Sequence, residues 1–417
     1  MEVTVHPSRM AGSIIAPPSK SLTQRAIAAG MLARGTTVIR NPSFCNDSLA
    51  AIGMAGRLGA SVSWDNNSIT IIGGSGALSP VTLNCGESGL ALRMFAPVAA
   101  MLADRVTLTG EGSLAGRPVT MISEALPQFG VQIQSTAGLL PLSMTGRLSA
   151  GKAVLDGSQG SQLLTGLLMS LPLLESDSEI TVENLKSRPY IMMTLQLLEE
   201  FGVSVVNDSF RHFNVPGCQS YRAREYTVEG DWSGASFLLV AGALAGAVTV
   251  KSLNLSSLQA DSAIIKALDD AGCRPSEEAA GVKAEKSDLR AFVFDATDSP
   301  DLFPPLAALA AFCSGTSRIS GVNRLQHKES DRAKAIADLL GAMNIEVKIA
   351  GDEMLISGGR VLRARVSSHS DHRIAMMAAV MALAAEGTVT IAGAEAVAKS
   401  YPGFFDDLAS LGAKISR

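Results

Sequence analysis

The sequence predicts an α/β protein of two pseudo-threefold domains, each with three repeats whose sheets pack around buried helices. Three observations support this prediction. A helical stretch that ends in an apolar residue, followed by Gly or Asn and a short apolar strand, recurs six times. A second helix in each repeat is apolar on nearly every side. The length of 417 residues also exceeds what one hydrophobic core usually supports.

The repeat is marked by turn residues that lie 68 to 72 positions apart in the sequence. They are Gly59, Gly130, Gly202, Gly272, Asn344 and Gly412. Each follows an amphipathic stretch, such as Arg332–Met343, and precedes a short apolar run, such as Val203–Val206. Gly or Asn directly after a helix is typical of a left-handed C-cap, so the pattern predicts one at each turn.

The second type of helix has almost no polar face, which is typical of a helix buried in a core. The candidates are Leu22–Ala33, Gly89–Ala103, Ser161–Leu174, Ser233–Ala245, Leu302–Cys313 and His372–Ala385. Three repeats fall on each side of the stretch Val228–Asp231, which opens the fourth of these helices. We therefore expect one domain of residues 17–229 and a second of residues 1–16 plus 230–417, with the active site in the cleft between them.

The composition is typical of a globular protein, with 47% hydrophobic and 18% charged residues. A net charge of −4 argues against a nucleic-acid partner. The five cysteines form no CxxC pair or zinc spacing, so we expect reduced thiols in a cytoplasmic protein without a metal site. Apolar runs such as Ile374–Ala385 are too short to span a bilayer, and the N-terminus resembles no targeting peptide.

Cations stand at the beginning of several of the apolar helices. Lys20 and Arg25 open the first, Arg93 lies early in the second, and Arg373 opens the sixth. Caps explain Ser19, Asp231 and Ser370 as well as any function does, because Ser and Asp satisfy the free N–H groups of a helix start. Cations there oppose the helix dipole, unless an anion joins them. The pattern therefore predicts a site for a polyanionic small molecule.

Three further segments carry polar residues at the starts of exposed helices: Gly116–Pro118, Ser187–Tyr190 and Lys328–Arg332. The last of them has an equally good structural interpretation, a solvated charge cluster in which Ser330 or Asp331 caps the helix and Lys328 does nothing. The residues alone do not decide between these interpretations.

The motifs taken together resemble the EPSP (5-enolpyruvylshikimate-3-phosphate) synthase family of enolpyruvyl transferases. The resemblance spans the chain and is carried by Pro18–Ser21, Asp156–Gln162, Lys328–Arg332, Ser370–Met376 and Ala398–Pro402. It implies two domains of three βαβαββ units each, of the inverted α/β barrel type. It also implies transfer of the enolpyruvyl group of phosphoenolpyruvate to the 5-hydroxyl of shikimate 3-phosphate, without metal or cofactor, by a monomer.

The resemblance also implies roles for individual residues. The residues expected to bind phosphoenolpyruvate are Lys20, Gly89, Arg93, Arg117, Gln162, Arg332, Arg373 and Lys399. Those expected to bind shikimate 3-phosphate are Lys20, Ser21, Arg25, Ser161, Gln162, Ser187, Tyr190, Asp301 and Lys328. The expected catalytic residues are Asp301, which faces the attacking hydroxyl, Glu329, which exchanges a proton with the enol carbon, and Lys328, His372 and Lys20.

Some positions depart from the family pattern. Glu87 and Leu90 stand where the family often has Asn and Thr, and Gly160 replaces a phosphate-binding Ser. One rival interpretation is a UDP-N-acetylglucosamine enolpyruvyl transferase, which usually has a cysteine five residues before an Arg-Pro pair. Here that position is Gly112, before Arg117-Pro118. A second rival is a non-catalytic anion-binding relative, against which the presence of both Asp301 and Glu329 argues.

Overall fold

The structure is a computed structural model that describes residues 1–74, 79–278 and 281–417. The chain divides into two compact units. The first unit consists of Met1–Pro17 and Glu229–Arg417, and the second of Pro18–Val228. The chain therefore leaves the first unit after 17 residues and returns to it at Glu229, one residue away from the predicted crossover at each point.

The strands follow one another in chain order through the two units. The first unit begins with β1 Glu2–His6 and β2 Met10–Ile15. The second unit holds β3 Thr36–Arg40, β4 Ser61–Trp64, β5 Ser68–Ile72, β6 Val81–Asn84, β7 Arg105–Thr109, β8 Gln132–Thr136, β9 Leu139–Thr145, β10 Lys152–Asp156, β11 Ser178–Glu183, β12 Val206–Asp208, β13 His212–Val215 and β14 Glu225–Thr227. The first unit resumes with β15 Gly246–Lys251, β16 Ser276–Glu278, β17 Gly281–Glu285, β18 Val293–Asp295, β19 Thr316–Ser320, β20 Glu346–Ala350, β21 Glu353–Ser357, β22 Leu362–Ser367, β23 Glu386–Ala392 and β24 Lys414–Ser416.

The helices alternate with these strands. Those of the second unit are α1 Lys20–Leu32, α2 Asn46–Arg57, α3 Gly89–Leu102, α4 Gly112–Ala115, α5 Thr120–Ala125, α6 Gln162–Ser170 and α7 Arg188–Glu200. Those of the first unit are α8 Trp232–Ala245, α9 Ile264–Asp270, α10 Phe303–Ala310, α11 Arg332–Ala342, α12 His372–Ala382 and α13 Phe404–Ser410. Short 3-10 segments lie at Leu126–Phe129, Leu171–Leu173, Ala260–Ala263, Pro300–Leu302, Val322–Arg324 and Ala394–Lys399.

The described residues form six four-stranded sheets that share one pattern, three sheets in each unit. In the sheet β6-β7-β9-β8, the first two strands are parallel and the other two neighbouring pairs are antiparallel. The same order recurs in β10-β11-β13-β12, β14-β3-β5-β4, β2-β15-β17-β16, β18-β19-β21-β20 and β22-β23-β1-β24. A parallel pair joined through a helix, followed by a second helix and an antiparallel hairpin, is a βαβαββ unit, as in β6, α3, β7, α5, β8 and β9, so the predicted α/β fold of repeated units is confirmed.

The turn residues that define the repeat all adopt the left-handed conformation. Their φ values are 100° at Gly59, 83° at Gly130, 82° at Gly202, 92° at Gly272, 68° at Asn344 and 107° at Gly412. This geometry lets the chain reverse directly from a helix into the hairpin of each repeat. One predicted strand begins later than expected, at Val206 instead of Val203. Ser204 donates its backbone N–H to the side chain of Gln219, 2.8 Å away, instead of joining a sheet.

The apolar helices lie in the cores of the units, as their sequences predict. Every residue of α8 except Ser233 is buried, and α12 is buried along its whole length. In the first unit, these two helices and α10 belong to one continuous hydrophobic core. Because the core surrounds these helices, only their ends reach polar surroundings. The beginnings of the helices are thus the places where charged side chains meet.

Candidate active site

The first helix of the second unit begins with a capped turn and an ion pair. Ser19 is buried, and its side chain accepts a hydrogen bond from the N–H of Leu22, 3.4 Å away. Lys20, the first residue of α1, donates to Asp47 Oδ2 at 2.9 Å. Both side chains are mostly buried. Asp47 lies 27 residues further along, at the start of α2, where nothing in the local sequence marks it as a partner of Lys20.

Arg25 is fully buried and is surrounded by uncharged oxygen atoms. Its Nε donates to Thr194 Oγ1 at 3.0 Å, and one Nη donates to the carbonyl of Ser21 at 3.0 Å. The other Nη lies 3.4 Å from both Thr165 Oγ1 and the carbonyl of Tyr190. Burial lowers the pKa of Arg25 to about 10, so it remains a cation at neutral pH. These contacts fix the orientation of the guanidinium group without neutralising its charge.

Two more arginines converge on Gly89, the first residue of α3. Arg93 donates to the carbonyl of Gly89 at 3.3 Å and to Gln162 Oε1 at 3.2 Å. A Cβ atom added to Gly89 would lie 2.8 Å from Arg93 Nη1 and 2.9 Å from Arg117 Nη1. Both arginines are buried. Glycine therefore leaves room for two guanidinium groups at one helix start, and their mutual repulsion favours an anion between them.

The other predicted residues of the second unit lie at the starts of α6 and α7. Ser161 is buried directly before α6, and Gln162 is its first residue, in contact with Arg93. Ser187 is buried before α7 in a left-handed conformation, with φ of 59°. Tyr190, in the first turn of α7, accepts from Thr194 Oγ1 at 2.9 Å through its carbonyl. The structure thus brings Ser21, Arg25 and Tyr190 into one contact group.

Glu87, which departs from the family pattern, binds the segment that carries Arg117. Its Oε2 accepts from the backbone N–H of Ser113 at 2.8 Å and from the Ser113 hydroxyl at 3.1 Å. Gly112 has φ of 50°, and a Cβ atom added there would collide with the Glu87 carboxylate. A cysteine at position 112, as in the rival family, would therefore need a different backbone and a displaced Glu87.

The centre of the polar group in the first unit is Arg332. Its side chain has no exposed surface and faces three carboxylates. Nε donates to Asp371 Oδ2 at 2.9 Å, Nη1 donates to Asp301 Oδ1 at 2.8 Å, and Nη2 donates to Glu329. Burial by itself lowers the pKa of Arg332, but Asp371, Glu329 and Asp301 raise it further, so the net pKa lies above its usual value. Arg332 is therefore a permanent cation that holds three carboxylates in place.

Asp301 accepts from two arginines and faces a lysine. Arg373 donates to its Oδ2 at 3.0 Å, and Lys328 Nζ lies 3.8 Å from its Oδ1. Burial raises the pKa of Asp301, but Arg373, Lys328 and Arg332 lower it well below its usual range. About a quarter of the side chain, 24%, stays exposed. Asp301 is thus an ionised carboxylate, held by cations and accessible from one side.

Lys328 carries a proton that it releases more easily than an ordinary lysine does. Burial lowers its pKa to about 8; Asp301 raises the pKa, whereas Arg332 and Arg324 lower it. Lys328 is not simply solvated, because its side chain is mostly buried and faces Asp301. At the same helix start, Asp331 caps α11 by accepting from Lys334 N at 3.2 Å, while the Ser330 hydroxyl donates to Asp371.

The start of α12 supplies the remaining predicted residues. Asp371, and not Ser370, caps this helix by accepting from the N–H of Arg373 at 2.9 Å. The proposed cap at Ser370 is wrong because Ser370 has φ of 55° and precedes the cap position. His372 is buried, with Nδ1 3.9 Å from Asp371 Oδ1. Lys399 donates to the carbonyl of Ser370 at 2.7 Å.

Sequence reasoning missed the residues that orient the cations: Asp47, Thr165, Thr194 and Asp371. Asp371 had a signal in the sequence, since an Asp directly before an apolar helix is a typical cap. Its second contact, with Arg332 from 39 residues earlier in the chain, had none. The two threonines lie inside α6 and α7 and look like ordinary core positions.

The described residues hold no group of three His, Cys, Asp or Glu side chains placed to bind a metal ion. No helix in the described part of the chain has the length and apolar character to cross a membrane. Each unit instead gathers buried cations at helix starts, and the first unit adds three carboxylates around them. This arrangement is typical of an enzyme that binds polyanionic small molecules and carries out acid–base chemistry on them.

Comparison with known proteins gives the same class. The family model described as EPSP synthase (3-phosphoshikimate 1-carboxyvinyltransferase) matches residues 5–408. The 3-phosphoshikimate 1-carboxyvinyltransferase of Clostridium kluyveri is 38% identical over 417 residues, which cover 99% of this chain and 98% of the relative. That of Clostridium acetobutylicum is 39% identical, with the same shares covered. That of Methanocella arvoryzae is 38% identical, and 97% of each chain is covered.

Solved structures agree with these relatives. The EPSP synthase of Acinetobacter baumannii superposes with a TM-score of 0.84, at 27% identity and with all of both chains covered. The enolpyruvyl transferase NikO of Streptomyces tendae has a TM-score of 0.78 at 18% identity, which supports the fold alone. The chain belongs to the EPSP synthase family.

Proposed function

We propose that the chain transfers the 1-carboxyvinyl group of phosphoenolpyruvate to the 5-hydroxyl of shikimate 3-phosphate and releases phosphate. This is the reaction of the family to which the chain belongs, in the shikimate pathway to chorismate and the aromatic amino acids. The observation that carries the residue assignment is Asp301, an ionised carboxylate held by Arg332 and Arg373, beside Lys328 and close to Glu329. We further propose that the polar groups of both units act on one pair of substrates.

The second unit supplies most of the grip on the two anions. Arg25 is a buried cation with its donors held in a fixed plane, which suits a carboxylate such as that of shikimate 3-phosphate. Four further residues at the starts of α1, α6 and α7 are assigned to shikimate 3-phosphate: Ser21, Ser161, Ser187 and Tyr190. Arg93 and Arg117, around Gly89, are assigned to phosphoenolpyruvate, and Gln162 and Lys20 to both substrates.

The first unit supplies the proton transfers. Once an anion at Arg332 has released Glu329, this carboxyl group takes up a proton from water and gives it to the methylene carbon of phosphoenolpyruvate, which makes the neighbouring carbon electrophilic. The 5-hydroxyl attacks that carbon and its proton passes to Asp301, giving a tetrahedral adduct. Loss of the methyl proton to Glu329 and departure of phosphate, which takes up the proton from Asp301, restores both carboxyl groups. A placed acid–base pair accelerates such a step by about 10²–10⁴-fold.

Charge explains how Asp301 can act as a base despite its low pKa. Among the cations around Asp301, Arg373 lowers its pKa the most. When an anionic substrate takes over part of the positive charge of Arg373, that effect weakens and the pKa of Asp301 rises. Similarly, an anion at Arg332 competes with Glu329 for the same Nη and frees this carboxyl group for the enol carbon. Lys399, which contacts the carbonyl of Ser370 before α12, is assigned to phosphoenolpyruvate, and His372, the first residue of α12, is assigned to catalysis.

We propose that the enzyme is a monomer of the cytoplasm. All five cysteines are free, and four of them are buried, which suits a reducing compartment. Sedimentation equilibrium at micromolar concentration tests whether the enzyme is a monomer. We expect a single species at the 43.3 kDa chain mass. A dimer mass would contradict it.

The test of the reaction is release of phosphate from phosphoenolpyruvate. We expect release only when shikimate 3-phosphate is present, and no release when UDP-N-acetylglucosamine takes its place. Release with the nucleotide sugar would favour the rival transferase. Binding of both substrates without release would favour the non-catalytic relative.

A further inference from the structure

A carboxyl group that the mechanism above does not use lies buried in the first unit. Asp261 belongs to the 3-10 segment Ala260–Ala263 and has no exposed surface. The hydroxyl of Ser233 donates to its Oδ2 through a short hydrogen bond. Its Oδ1 is buried and has no hydrogen-bond partner among the described residues. A buried carboxylate with one oxygen unsatisfied is costly, so the site favours the protonated carboxylic acid.

The charges that act on Asp261 belong to the proposed active site. Asp301 and Asp231 face it with negative charge, and Arg373 faces it with positive charge. Its own segment continues into α9, where Lys266 is exposed and paired with Asp270, and Asp269 is exposed as well. Burial has the largest effect and, together with the negative charge of Asp301, raises the pKa of Asp261 to about 7. Arg373 and the hydrogen bond from Ser233 lower the pKa. Asp261 therefore changes its charge close to neutral pH.

We propose that Asp261 is a positioning residue whose proton sets how strongly Arg373 binds the anionic substrate. This inference rests on the proposed function, in which Arg373 contacts phosphoenolpyruvate. With Asp261 protonated, Arg373 divides its charge between Asp301 and the substrate. With Asp261 ionised, a second carboxylate competes for that charge, and the extra negative charge repels the incoming anion.

The coupling is reciprocal. If the proton on Asp261 strengthens substrate binding, the bound substrate raises the pKa of Asp261 by the same free energy. Binding of phosphoenolpyruvate near pH 7 is then accompanied by uptake of a proton. If the coupling is about one pKa unit, the Michaelis constant rises roughly tenfold as the pH increases through the titration. Turnover at saturating substrate changes little, because Asp261 does not touch the reacting atoms.

The kinetic test compares the pH dependence of the Michaelis constant in four proteins. In the wild type we expect the constant for phosphoenolpyruvate to rise between about pH 6 and about pH 9. Asp261→Asn, which mimics the protonated acid, should remove the rise and leave the constant low. Asp338→Asn, at an exposed position of α11, should behave like the wild type. The substrate phosphate also titrates in this range, and the comparison with Asp261→Asn separates its contribution.

Ser233→Ala should shift the pH dependence of the Michaelis constant, whereas Asp261→Asn should abolish it. The hydrogen bond from Ser233 lowers the pKa of Asp261, so its removal should move the rise to higher pH without abolishing it. If Asp261→Asn keeps the wild-type pH dependence, the proposal is overturned. It is also overturned if Asp261→Asn raises the Michaelis constant and lowers turnover by similar factors. If Asp261→Asn does not fold, Ser233→Ala decides: an unshifted curve overturns the proposal.

A measurement without turnover separates this proposal from the proposed function. Infrared difference spectroscopy of the unliganded protein should show a carboxylic acid C=O band that disappears near pH 7 and is missing in Asp261→Asn. A carboxyl group at position 261 that is already ionised at about pH 5 would overturn the inference even if the enzyme is fully active. Absence of phosphate release with an intact titration would instead overturn the proposed function.

Discussion

Arg25 in the second unit and Arg332 in the first unit are both fully buried arginines, yet their surroundings are opposite. Arg25 donates to two hydroxyls and two carbonyls, and Arg332 donates to three carboxylates. Burial lowers the pKa of the first, whereas the carboxylates bring the pKa of the second above its usual value. The hydrogen-bond partners of Arg25 are neutral, so its charge remains available to attract an anion. Arg332 instead stabilises the ionised form of the carboxylates around it. We infer that the second unit serves substrate binding, whereas the first unit combines substrate binding with the proton transfers.

The largest expected effect is a difference in the free energy of unfolding between variants of these two arginines. Arg332→Met should lower the free energy of unfolding by about 3–5 kcal/mol, because it leaves buried Asp371 and its neighbours without their counter-ion. Arg25→Met should cost only about 1–3 kcal/mol, because the groups left behind are neutral. Urea unfolding curves measure both.

The control for this comparison is Arg360→Met, which removes an exposed ion pair with Glu386 and should leave the free energy of unfolding almost unchanged. Equal losses for Arg332→Met and Arg25→Met would mean that the carboxylates around Arg332 do not depend on its charge. The distinction between the two units would then have no energetic basis.

The next effect concerns turnover. Asp301→Asn keeps the shape of the side chain but removes the charge that accepts the hydroxyl proton, so kcat should fall by about 10²–10⁴-fold while both substrates still bind. Phosphate release at saturating substrates and equilibrium binding are the two measurements. Asp295→Asn, which changes an exposed carboxylate six residues earlier, is the matched control. An unchanged kcat would remove Asp301 from the mechanism.

The arginines of the second unit should affect affinity and not turnover. Arg117→Ala should raise the Michaelis constant for phosphoenolpyruvate more than that for shikimate 3-phosphate, and Arg25→Gln should do the reverse. Each loss of a charge-assisted contact is expected to change its constant roughly ten- to hundredfold. Arg147→Ala, at an exposed position, provides the baseline. Equal effects on both substrates would contradict the division between the two anion sites.

The smallest effect is a pH dependence in the first unit. Lys328 has a pKa of about 8, so it is charged below that pH and neutral above it. We expect kcat/KM for shikimate 3-phosphate to fall above pH 8 by about tenfold per pH unit, because the charge beside Asp301 is lost. In Lys328→Arg the charge persists and the decline should disappear. Lys334→Arg, an exposed lysine of α11, should keep the decline, and a decline that survives in Lys328→Arg would exclude Lys328 as its source.

The sequence predicted the parts of this molecule that depend on local chemistry. The six turn residues all have positive φ because only a left-handed residue lets a helix reverse into a hairpin there. The helices around Trp232–Ala245 and His372–Ala382 were visible because they lack a polar face. Arg25, Arg93 and Arg373 were visible because cations are unfavourable at a helix start without an anion.

The features that the sequence did not predict depend on contacts between distant parts of the chain. Asp47 meets Lys20 across 27 residues, and Asp371 meets Arg332 across 39, and no local pattern encodes either contact. The same reason hid Asp261, whose position beside Arg373 follows from how the helix starts of the first unit come together. The start of β12 was missed because the side chain of Gln219 takes the hydrogen bond that a strand would use.

The path of the chain has a consequence for how the protein is made. Strand β1 lies between β23 and β24, so it pairs with strands that are synthesised long after it. The second unit is continuous in sequence and can fold during synthesis, while β1 and β2 wait with unpaired edges. During that interval, the two opening strands are the segments most prone to aggregate. The exposure of β1 and β2 therefore lasts until β15, β23 and β24 have been synthesised.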